Sequence, residues 1–335
     1  MAFASNADNL VPGDTNGTDD VFVRDVVAGT TTRVSVATDG TRANSWSWPP
    51  EISADGRHVA FVSDADNLVP GDTNQHADIF LRDLAAGTTS RVNIGSNGQE
   101  SDKEVDCPFT CMPSLSRDGR YVTFASYATN LVPDDTNGSI DVFVRDVVAG
   151  TTTRANVATD GTTVVSAPGP LPGYDPVMTA DGRRVFFLSS APLVLGDTNG
   201  KPDLYMRDLN ASSTTMIKPL GREKNDLRSF TVSANGRYLG FDKPRRQGDP
   251  FGLRDAFVCD LVTGVSTRVS LSNDGAEGNA TSTGSWISPD GGSVVFTSEA
   301  TNLVDGDTNL HGDVFLHHLS TPEPAAMSRT QNITR

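Results

Sequence analysis

Aspartate and asparagine residues recur in this sequence in one fixed pattern, Asp-x-Asn-x-x-x-Asp. Calcium prefers several hard oxygen ligands from a flexible loop. Because alternate residues of a tightly turning loop point inward, positions one and three converge, and a backbone carbonyl near position five can join them. The aspartate at position seven begins the next strand and can close the cage. We therefore predict several structural Ca²⁺ ions, held by Asp14/Asn16/Asp20, Asp72/Asn74/Asp78, Asp135/Asn137/Asp141, Asp197/Asn199/Asp203 and Asp307/Asn309/Asp313.

These predicted ion sites are weak, and the pattern has an alternative interpretation. Two carboxylates per site predict a dissociation constant of ~10⁻⁴–10⁻³ M, and magnesium rarely accepts a cage made only of protein. Asp and Asn also make side-chain-to-backbone turns without a metal, but five intact copies favour the metal. A decayed copy keeps Asp249 and Asp255 but has Phe251 at the asparagine position, so we expect no ion there. Asn67, in the recurring Asn-Leu-Val, is expected to cap the start of the same loop.

The Asp-Thr-Asn tract is one part of a longer internal repeat. Its leading aspartates return about every 60 residues, which is typical of a repeat architecture, at Asp14, Asp72, Asp135, Asp197, Asp249 and Asp307. Each full copy contains four short runs of alternating apolar residues, which indicate strands. The first two strands are joined by an Asp-Gly or Asn-Gly hairpin turn such as Asp55-Gly56, since these dipeptides supply positive φ angles.

The repeat predicts an all-β fold, a six-bladed β-propeller of four-stranded antiparallel blades in a single domain covering residues 1–335. The predicted blades are approximately 1–45, 46–105, 106–165, 166–222, 223–275 and 276–335. Residues 2–5 correspond to the second strand of a repeat. We therefore expect blade one to lack its innermost strand, unless residues 330–335 or residues upstream of this sequence supply it.

Two motifs stand out within the repeat. One is Ser-x-Asp-Gly-Arg at Ser53–Arg57, which an apolar strand follows, and the other is Asp-Val-Phe-Val-Arg-Asp at Asp20–Asp25. Together they resemble the TolB-like propeller repeat, a relative of the WD-repeat propellers. The resemblance covers nearly the whole chain and implies the propeller fold. Propellers of this family serve as binding platforms and as domains of peptidases and lyases, so the resemblance does not fix a function. This sequence departs from the family in its long loop carrying Asp-Thr-Asn.

The segments that link one blade to the next break the repeat, and function is expected where a repeat varies. These links would surround the central opening on the face that carries the Asp-Thr-Asn loops. Aromatic side chains with a few charges suit a sugar, a peptide or a small ligand. The alternative is that the aromatics fill the channel as core. The predicted ligand-binding residues are Trp46, Trp48, Glu51, Phe109, Tyr174, Asp175, Arg228 and Trp286.

Composition narrows the function classes. The net charge of -15 argues against a nucleic-acid partner, because phosphate binding needs a basic face. No apolar run approaches the ~20 residues of a membrane span. Neither Gly-x-Ser-x-Gly nor His-Glu-x-x-His occurs. Cys107 and Cys111, four residues apart, form either a local disulfide or two free thiols.

The sequence leaves two functions open. The first is a calcium-stabilised β-propeller, secreted or periplasmic, that binds a protein, peptide, carbohydrate or small molecule. The second is an enzyme, a hydrolase, lyase or cyclase, with its active site in the central opening on the face of the inter-blade links. The absence of a catalytic motif favours the binding platform.

Overall fold

The computed structural model describes residues 1–48, 50–103, 105, 112–162, 176–218, 227, 230–246, 252–309 and 311–319. Within these ranges the secondary structure consists of strands. The strands are β1 (Ala2–Ser5), β2 (Asp20–Asp25), β3 (Thr30–Arg33), β4 (Glu51–Ile52), β5 (His58–Ser63), β6 (Asp78–Asp83), β7 (Thr88–Arg91), β8 (Ser114–Leu115), β9 (Tyr121–Ser126), β10 (Asp141–Asp146), β11 (Thr151–Arg154), β12 (Val177–Met178), β13 (Arg184–Ser189), β14 (Asp203–Asp208), β15 (Ser213–Ile217), β16 (Phe230–Val232), β17 (Tyr238–Pro244), β18 (Arg254–Asp260), β19 (Val265–Arg268), β20 (Ser282–Ile287), β21 (Ser293–Ser298) and β22 (Asp313–His318).

The strands form six antiparallel sheets, and each sheet follows chain order. The first strands of successive blades, β4, β8, β12, β16 and β20, contact one another and are therefore innermost. This arrangement is a six-bladed β-propeller, as predicted. Blade one contains β1, β2 and β3, and in the described residues it lacks an innermost strand, also as predicted. No helix in the described ranges is long and apolar enough to cross a membrane.

Alternation along the strands builds the core. The second and third strands of every blade bring one aromatic pair into contact, as in Phe61 and Phe80, whose ring centroids are 5.8 Å apart. Residues that alternate with them on the third strand pack against the next blade. In blade two, for example, Ile79 and Leu81 share a buried cluster with Phe124 of blade three. The hydrophobic core is therefore a series of layers between neighbouring blades.

The Asp-Gly turns also join the blades to one another. Gly119 has φ of 68°, and a Cβ atom on it would lie 2.4 Å from the His58 ring of the preceding blade. Glycine is required there both for the left-handed backbone and for the close approach. The backbone N–H of Arg117 in the same turn donates to the Ala180 carbonyl of blade four (2.8 Å). The turn residues thus connect neighbouring blades as well as closing hairpins.

Blade six differs from the others at the face that its third strand turns towards the next blade. Its third strand, β22, is its last in the described residues. Val314 and Leu316 occupy the positions that are buried in blade two, but they are 71% and 59% exposed. Blade six therefore exposes an apolar face that in blades one to five packs against the following blade.

Candidate functional site

Each Asp-Thr-Asn loop is a compact turn held by its own side chains. In blade one the amide of Asn16 donates to Asp20 (3.1 Å), and the backbone N–H of Thr18 donates to Oδ1 of Asn16 (3.3 Å). The asparagine therefore connects the loop to the first residue of the third strand. The same amide-to-carboxylate bond recurs in the other four intact loops, at Asn74–Asp78, Asn137–Asp141, Asn199–Asp203 and Asn309–Asp313.

The asparagines that were predicted as metal ligands therefore have protein partners on both ends of the side-chain amide. In blade three, Asn137 donates to Asp141 (2.9 Å), and its Oδ1 accepts from the Ser139 backbone N–H (2.9 Å). The oxygen that was predicted to face the ion thus closes a turn two residues further on. This is the side-chain-to-backbone turn that the sequence left open as the alternative to a metal site.

An arginine at the end of the fourth strand lies against both aspartates of the loop, and sequence analysis gave it no role. In blade one, Arg33 Nη2 is 2.7 Å from Asp14 Oδ2, and Arg33 Nε is 3.4 Å from Asp20 Oδ2. The Arg33 side chain is only 6% exposed. We call this triad of one arginine and two aspartates the Arg–Asp cluster. Its other complete members are Arg91 with Asp72 and Asp78, and Arg154 with Asp135 and Asp141.

Burial dominates the electrostatics of the cluster in blade two. It raises the pKa of Asp72 to about 6, and Arg91 offsets only part of that rise. The pKa of Asp78 is also raised by burial. Glu100 supplies a third carboxylate 2.5 Å from Arg91, and its pKa is lowered to about 2, first by the hydrogen bond from the Thr73 hydroxyl. The guanidinium is thus the counter-charge for three carboxylates.

The carboxylate at position seven has little capacity left for a metal ion. Asp78 receives hydrogen bonds from Asn93 (2.6 Å) and Asn74 (3.1 Å) and is 3.2 Å from Arg91. Calcium between Asp72 and Asp78 would have to displace the arginine, so the ion does not fit that position while the guanidinium is there. Within the described ranges, no three or more acidic, histidine or cysteine side chains form a group that could hold a metal. Calcium binding stays a prediction.

Blade four has a different arrangement around the same loop residues. Met216 pairs with Tyr205 at the register position where Arg33 pairs with Phe22 in blade one. The Tyr205 hydroxyl donates to the Asp197 carboxylate, and burial together with this bond raises the tyrosine pKa. A neutral hydroxyl therefore contacts this loop where a guanidinium contacts the loops of blades one to three.

In blade five, Asp255 is held by two arginines instead of a loop asparagine. Arg245 Nη2 lies 2.8 Å from it, and Arg268 Nη2 lies 3.3 Å from it. Two guanidinium groups thus surround this carboxylate, and the expectation that this blade binds no metal ion stays a prediction. Asp249 and Phe251, which carried that expectation in the sequence, lie outside the described residues.

The asparagines of the Asn-Leu-Val segments attach the inter-blade links to the loops. Oδ1 of Asn67 accepts from the Asn44 backbone N–H (3.0 Å), and its amide donates to the Arg42 carbonyl (2.7 Å). Asn130 binds the link that follows blade two in the same way, through Asp102 and Glu100. These side chains therefore contact the preceding link, a partner that their sequence position does not reveal.

Glu51 belongs to a layer of side chains on the innermost strands. Its Oε1 accepts from the Leu115 N–H of the next blade (3.4 Å). Glu51 lies two residues before the turn residue Ser53, and Ser114 and Thr231 lie two residues before the corresponding Ser116 and Ser233. The hydroxyl groups of Ser114 and Thr231 accept in the same way from the backbone N–H groups of Met178 (3.1 Å) and Ile287 (3.2 Å) in the next blade. Burial raises the pKa of Glu51 to about 7. Glu51 is thus a titratable member of a belt that joins the blades around the central opening.

The three tryptophans that were predicted to bind ligand lie in different environments. Trp46 and Trp286 are 46% and 53% exposed, whereas Trp48 is 8% exposed and packs in the core between blades two and three. Trp286 occupies the layer position of Glu51, on β20. A bulge in β20 between Thr283 and Trp286 shifts the register, and Gly284 approaches the indole so closely that a Cβ would lie 2.7 Å from it. The exposed indole therefore lies at a bulge, a distortion that can re-aim a side chain.

The remaining predicted ligand-binding residues, Phe109, Tyr174, Asp175 and Arg228, lie outside the described residues, as do Cys107 and Cys111. Cys259 is a free, buried thiol on β18. The structure therefore brings Glu51 and Trp286 to equivalent positions on innermost strands and places Trp46 beside the loops, where its carbonyl accepts from Asp64 (3.0 Å).

Comparison with known proteins identifies neighbours by structure alone. No family model matches the sequence, and no curated protein matches it significantly. TolB from Acinetobacter baumannii aligns over 90% of this chain and 61% of its own length, with 17% identity and a TM-score of 0.48. A putative TolB from Agrobacterium tumefaciens aligns over 90% and 84%, with 15% identity and a TM-score of 0.48.

A third similar structure belongs to a study of two prolyl endopeptidases, which concerns the role of inter-domain dynamics in their catalysis and specificity. It aligns over 90% of this chain and 38% of its own length, with 13% identity and a TM-score of 0.51. This chain thus spans 61% of the length of the first TolB and a smaller share of the endopeptidase. At such low identity the likeness is one of fold alone.

Proposed function

We propose that this protein is a binding platform whose ligand contacts the exposed tryptophans on the innermost strands and the inter-blade links. The observation that carries the proposal is the exposure of Trp46 and Trp286, at 46% and 53%. A tryptophan contributes a large apolar surface to a binding site, and this residue type is enriched where binding energy is concentrated. Glycan, peptide and small-molecule ligands all have faces that stack on an indole.

The local structure around Trp286 supports a role beyond folding. A side chain needed only for the core would be buried, as Trp48 is. Instead, the Trp286 indole is 53% exposed, and it lies beside the β20 bulge and against Gly284. Bulges often re-aim a side chain next to a functional site. The half-buried Glu51 at the equivalent position of blade two adds a group that hydrogen-bonds whether or not it is ionised.

The proposal includes calcium as a structural ion, and the arginines restrict which loop can hold it. We assign it to the blade-four loop, Asp197, Asn199 and Asp203, because the fourth strand there carries Met216 instead of arginine. In blades one to three the guanidinium supplies the positive charge that an ion would supply. We also propose that the protein works outside the cytoplasm, where millimolar calcium would fill a site of ~10⁻⁴–10⁻³ M affinity.

The experiment is a screen of the labelled protein on glycan and peptide arrays, with and without calcium. Wild type is expected to bind a defined set of ligands, and Trp46→Ala and Trp286→Ala to lose that set. Val265→Ala is a matched control, because this residue is 60% exposed but lies on an outermost strand. Loss of binding in Val265→Ala equal to that in the tryptophan variants would contradict the proposal.

The enzyme alternative has one observation in its favour. Burial raises the pKa of Glu51 to about 7, and a carboxyl group with a pKa near neutral can act as a general acid. A chromogenic ester and glycoside panel, run on wild type and Glu51→Gln, tests this. Turnover that disappears in Glu51→Gln while the melting temperature holds would favour the enzyme. A lack of turnover in wild type would leave binding as the function.

A further inference from the structure

Three of the Asp-Thr-Asn loops contain a chemically labile dipeptide, Asn-Gly. Asparagine is one of the thermolabile residue types. Glycine after it has no Cβ to hinder the approach of its own backbone nitrogen to the asparagine side chain. The chain contains five such dipeptides: Asn16-Gly17, Asn137-Gly138 and Asn199-Gly200 in the loops, Asn97-Gly98 in a turn after β7, and Asn235-Gly236 in the first hairpin turn of blade five.

The asparagine side chain closes the same kind of turn in all five dipeptides. In each, Oδ1 accepts from the backbone N–H two residues later. If the side-chain carbon Cγ is attacked, negative charge develops on this oxygen, and a donor at that position stabilises the charge. The side-chain turn therefore does not distinguish the five. The donors are Thr18 (3.3 Å), Gln99 (3.0 Å), Ser139 (2.9 Å), Lys201 (2.7 Å) and Arg237 (3.0 Å).

The backbone N–H of the glycine does distinguish them. Gly98 donates to the Gly95 carbonyl (2.9 Å), and Gly236 donates to the Ser233 carbonyl (2.8 Å). A nitrogen held in this way must give up its hydrogen bond before it can attack a neighbouring group. The loop glycines differ, because no described residue accepts a hydrogen bond from the N–H of Gly17, Gly138 or Gly200. These three glycines are also exposed to water.

We propose that Asn16, Asn137 and Asn199 are modification sites, at which the side-chain amide becomes a carboxylate without an enzyme. The glycine nitrogen loses its proton to hydroxide and attacks Cγ of the asparagine. A C–N bond forms, the bond from Cγ to Nδ2 breaks, and ammonia leaves with a proton taken from water. A second water molecule then opens the cyclic imide at either carbonyl, which gives aspartate or isoaspartate.

The modification removes the bond that connects the loop to the third strand. The Asn137 amide donates to Asp141 (2.9 Å), which is only 1% exposed. The product has no N–H at this position, and it adds a negative charge beside a buried carboxylate, which is unfavourable. Deamidation thus detaches the loop from the strand in blades one, three and four. The inference is independent of the proposed ligand-binding face.

Peptide mapping by mass spectrometry tests the proposal on the full chain, incubated at mildly alkaline pH. In the folded protein, Asn16, Asn137 and Asn199 should be modified several times faster than Asn97 and Asn235. In urea the five rates should converge, because unfolding breaks the bonds of Gly98 and Gly236. Equal or faster modification of Asn97 and Asn235 in the folded protein, or the same order of rates in urea, would overturn the proposal.

Blade two provides matched variants. Its loop carries Gln75 in place of the glycine, with φ of 60°, against 62° for Gly138, so the loop holds either residue. Gln75→Gly should therefore bring modification to Asn74, and Gly138→Gln should slow it at Asn137. Unchanged rates at Asn74 and Asn137 in these variants would overturn the proposal.

The effect on the loop is tested with variants that carry the product. Asn137→Asp should lower the melting temperature of the full chain. Asn97→Asp should leave it unchanged, because the Asn97 amide donates only to the side chain of Gln99 (3.4 Å) in an exposed turn. Equal melting temperatures of the two variants would overturn the detachment of the loop.

Discussion

Replacing Arg91 with methionine should destabilise the protein strongly. Methionine fits this strand position, since blade four carries Met216 there. The Arg91 side chain is 5% exposed, and those of Asp72 and Asp78 are 3% and 0% exposed. The substitution leaves buried carboxylates without their counter-charge. Removing one partner of a buried ion pair typically costs about 3–5 kcal/mol. Urea denaturation followed by circular dichroism measures the loss in the free energy of unfolding.

A second arginine of the same blade provides the control. Arg57 donates to Asp83 at 2.8, 3.1 and 3.2 Å, but its side chain is 52% exposed. Exposed pairs contribute about 0–1 kcal/mol, so Arg57→Met should cost several-fold less than Arg91→Met. Adding Asp72→Asn to Arg91→Met should restore part of the stability by removing a buried charge. Equal losses in Arg57→Met and Arg91→Met, with no recovery on adding Asp72→Asn, would refute the argument that the Arg–Asp cluster stabilises the blades.

Three further predictions follow from individual sites. Calcium at ten times its dissociation constant should stabilise wild type by about 1.4 kcal/mol, and Met216→Arg should abolish the stabilisation. Thermal melts in calcium and in chelator measure both, and equal calcium shifts in the two proteins would contradict the blade-four assignment. Burial raises the Glu51 pKa from 4.5 to about 7, so its protonation stabilises the fold fully below pH 4.5, and that contribution, about 3 kcal/mol at most, is lost as pH rises through 7. Glu51→Gln should flatten this pH dependence of stability, and an unchanged profile would show that another group is responsible. Phe80 is fully buried, so Phe80→Ala should cost about 3–5 kcal/mol, against a small change for the exposed Trp46→Ala; comparable denaturation midpoints for the two variants would contradict the core assignment.

The fold could be predicted from sequence because its determinants are local and repeated. Turn dipeptides such as Asp55-Gly56 and the alternation in Asp20–Asp25 identify strands without any tertiary information. Six copies then fix the number of blades. The inter-blade role of Gly119 could not be predicted in this way, because its contact with His58 crosses between repeats.

The Arg–Asp cluster was missed for a physical reason. A charged residue such as Arg33 at the end of an outer strand suggests a solvent-exposed position. Its burial accompanies an ion pair with Asp14 in the loop of the same blade, a contact that strand periodicity does not encode. The signal was nevertheless present, since an arginine follows the strand-starting aspartate at one constant spacing in blades one, two, three and five. That spacing, read together with the loop aspartates, would have suggested an ion pair as an alternative to calcium.

The ligand-binding residues were only partly predictable. The sequence identified the links as variable, but it could not distinguish Trp46 from Trp48. Their exposed fractions differ, at 46% and 8%, although residues two apart in an extended segment would point to the same side. Trp286 lies at a bulge that periodicity does not reveal.

The binding proposal is tested most directly by calorimetric titration of the strongest array ligand into wild type and Trp286→Ala. The account predicts one ligand per wild-type chain and at least a tenfold weaker affinity in Trp286→Ala, equivalent to about 1.4 kcal/mol, with the melting temperature unchanged. An unchanged dissociation constant, or a weaker affinity accompanied by a matching loss of stability, would contradict it.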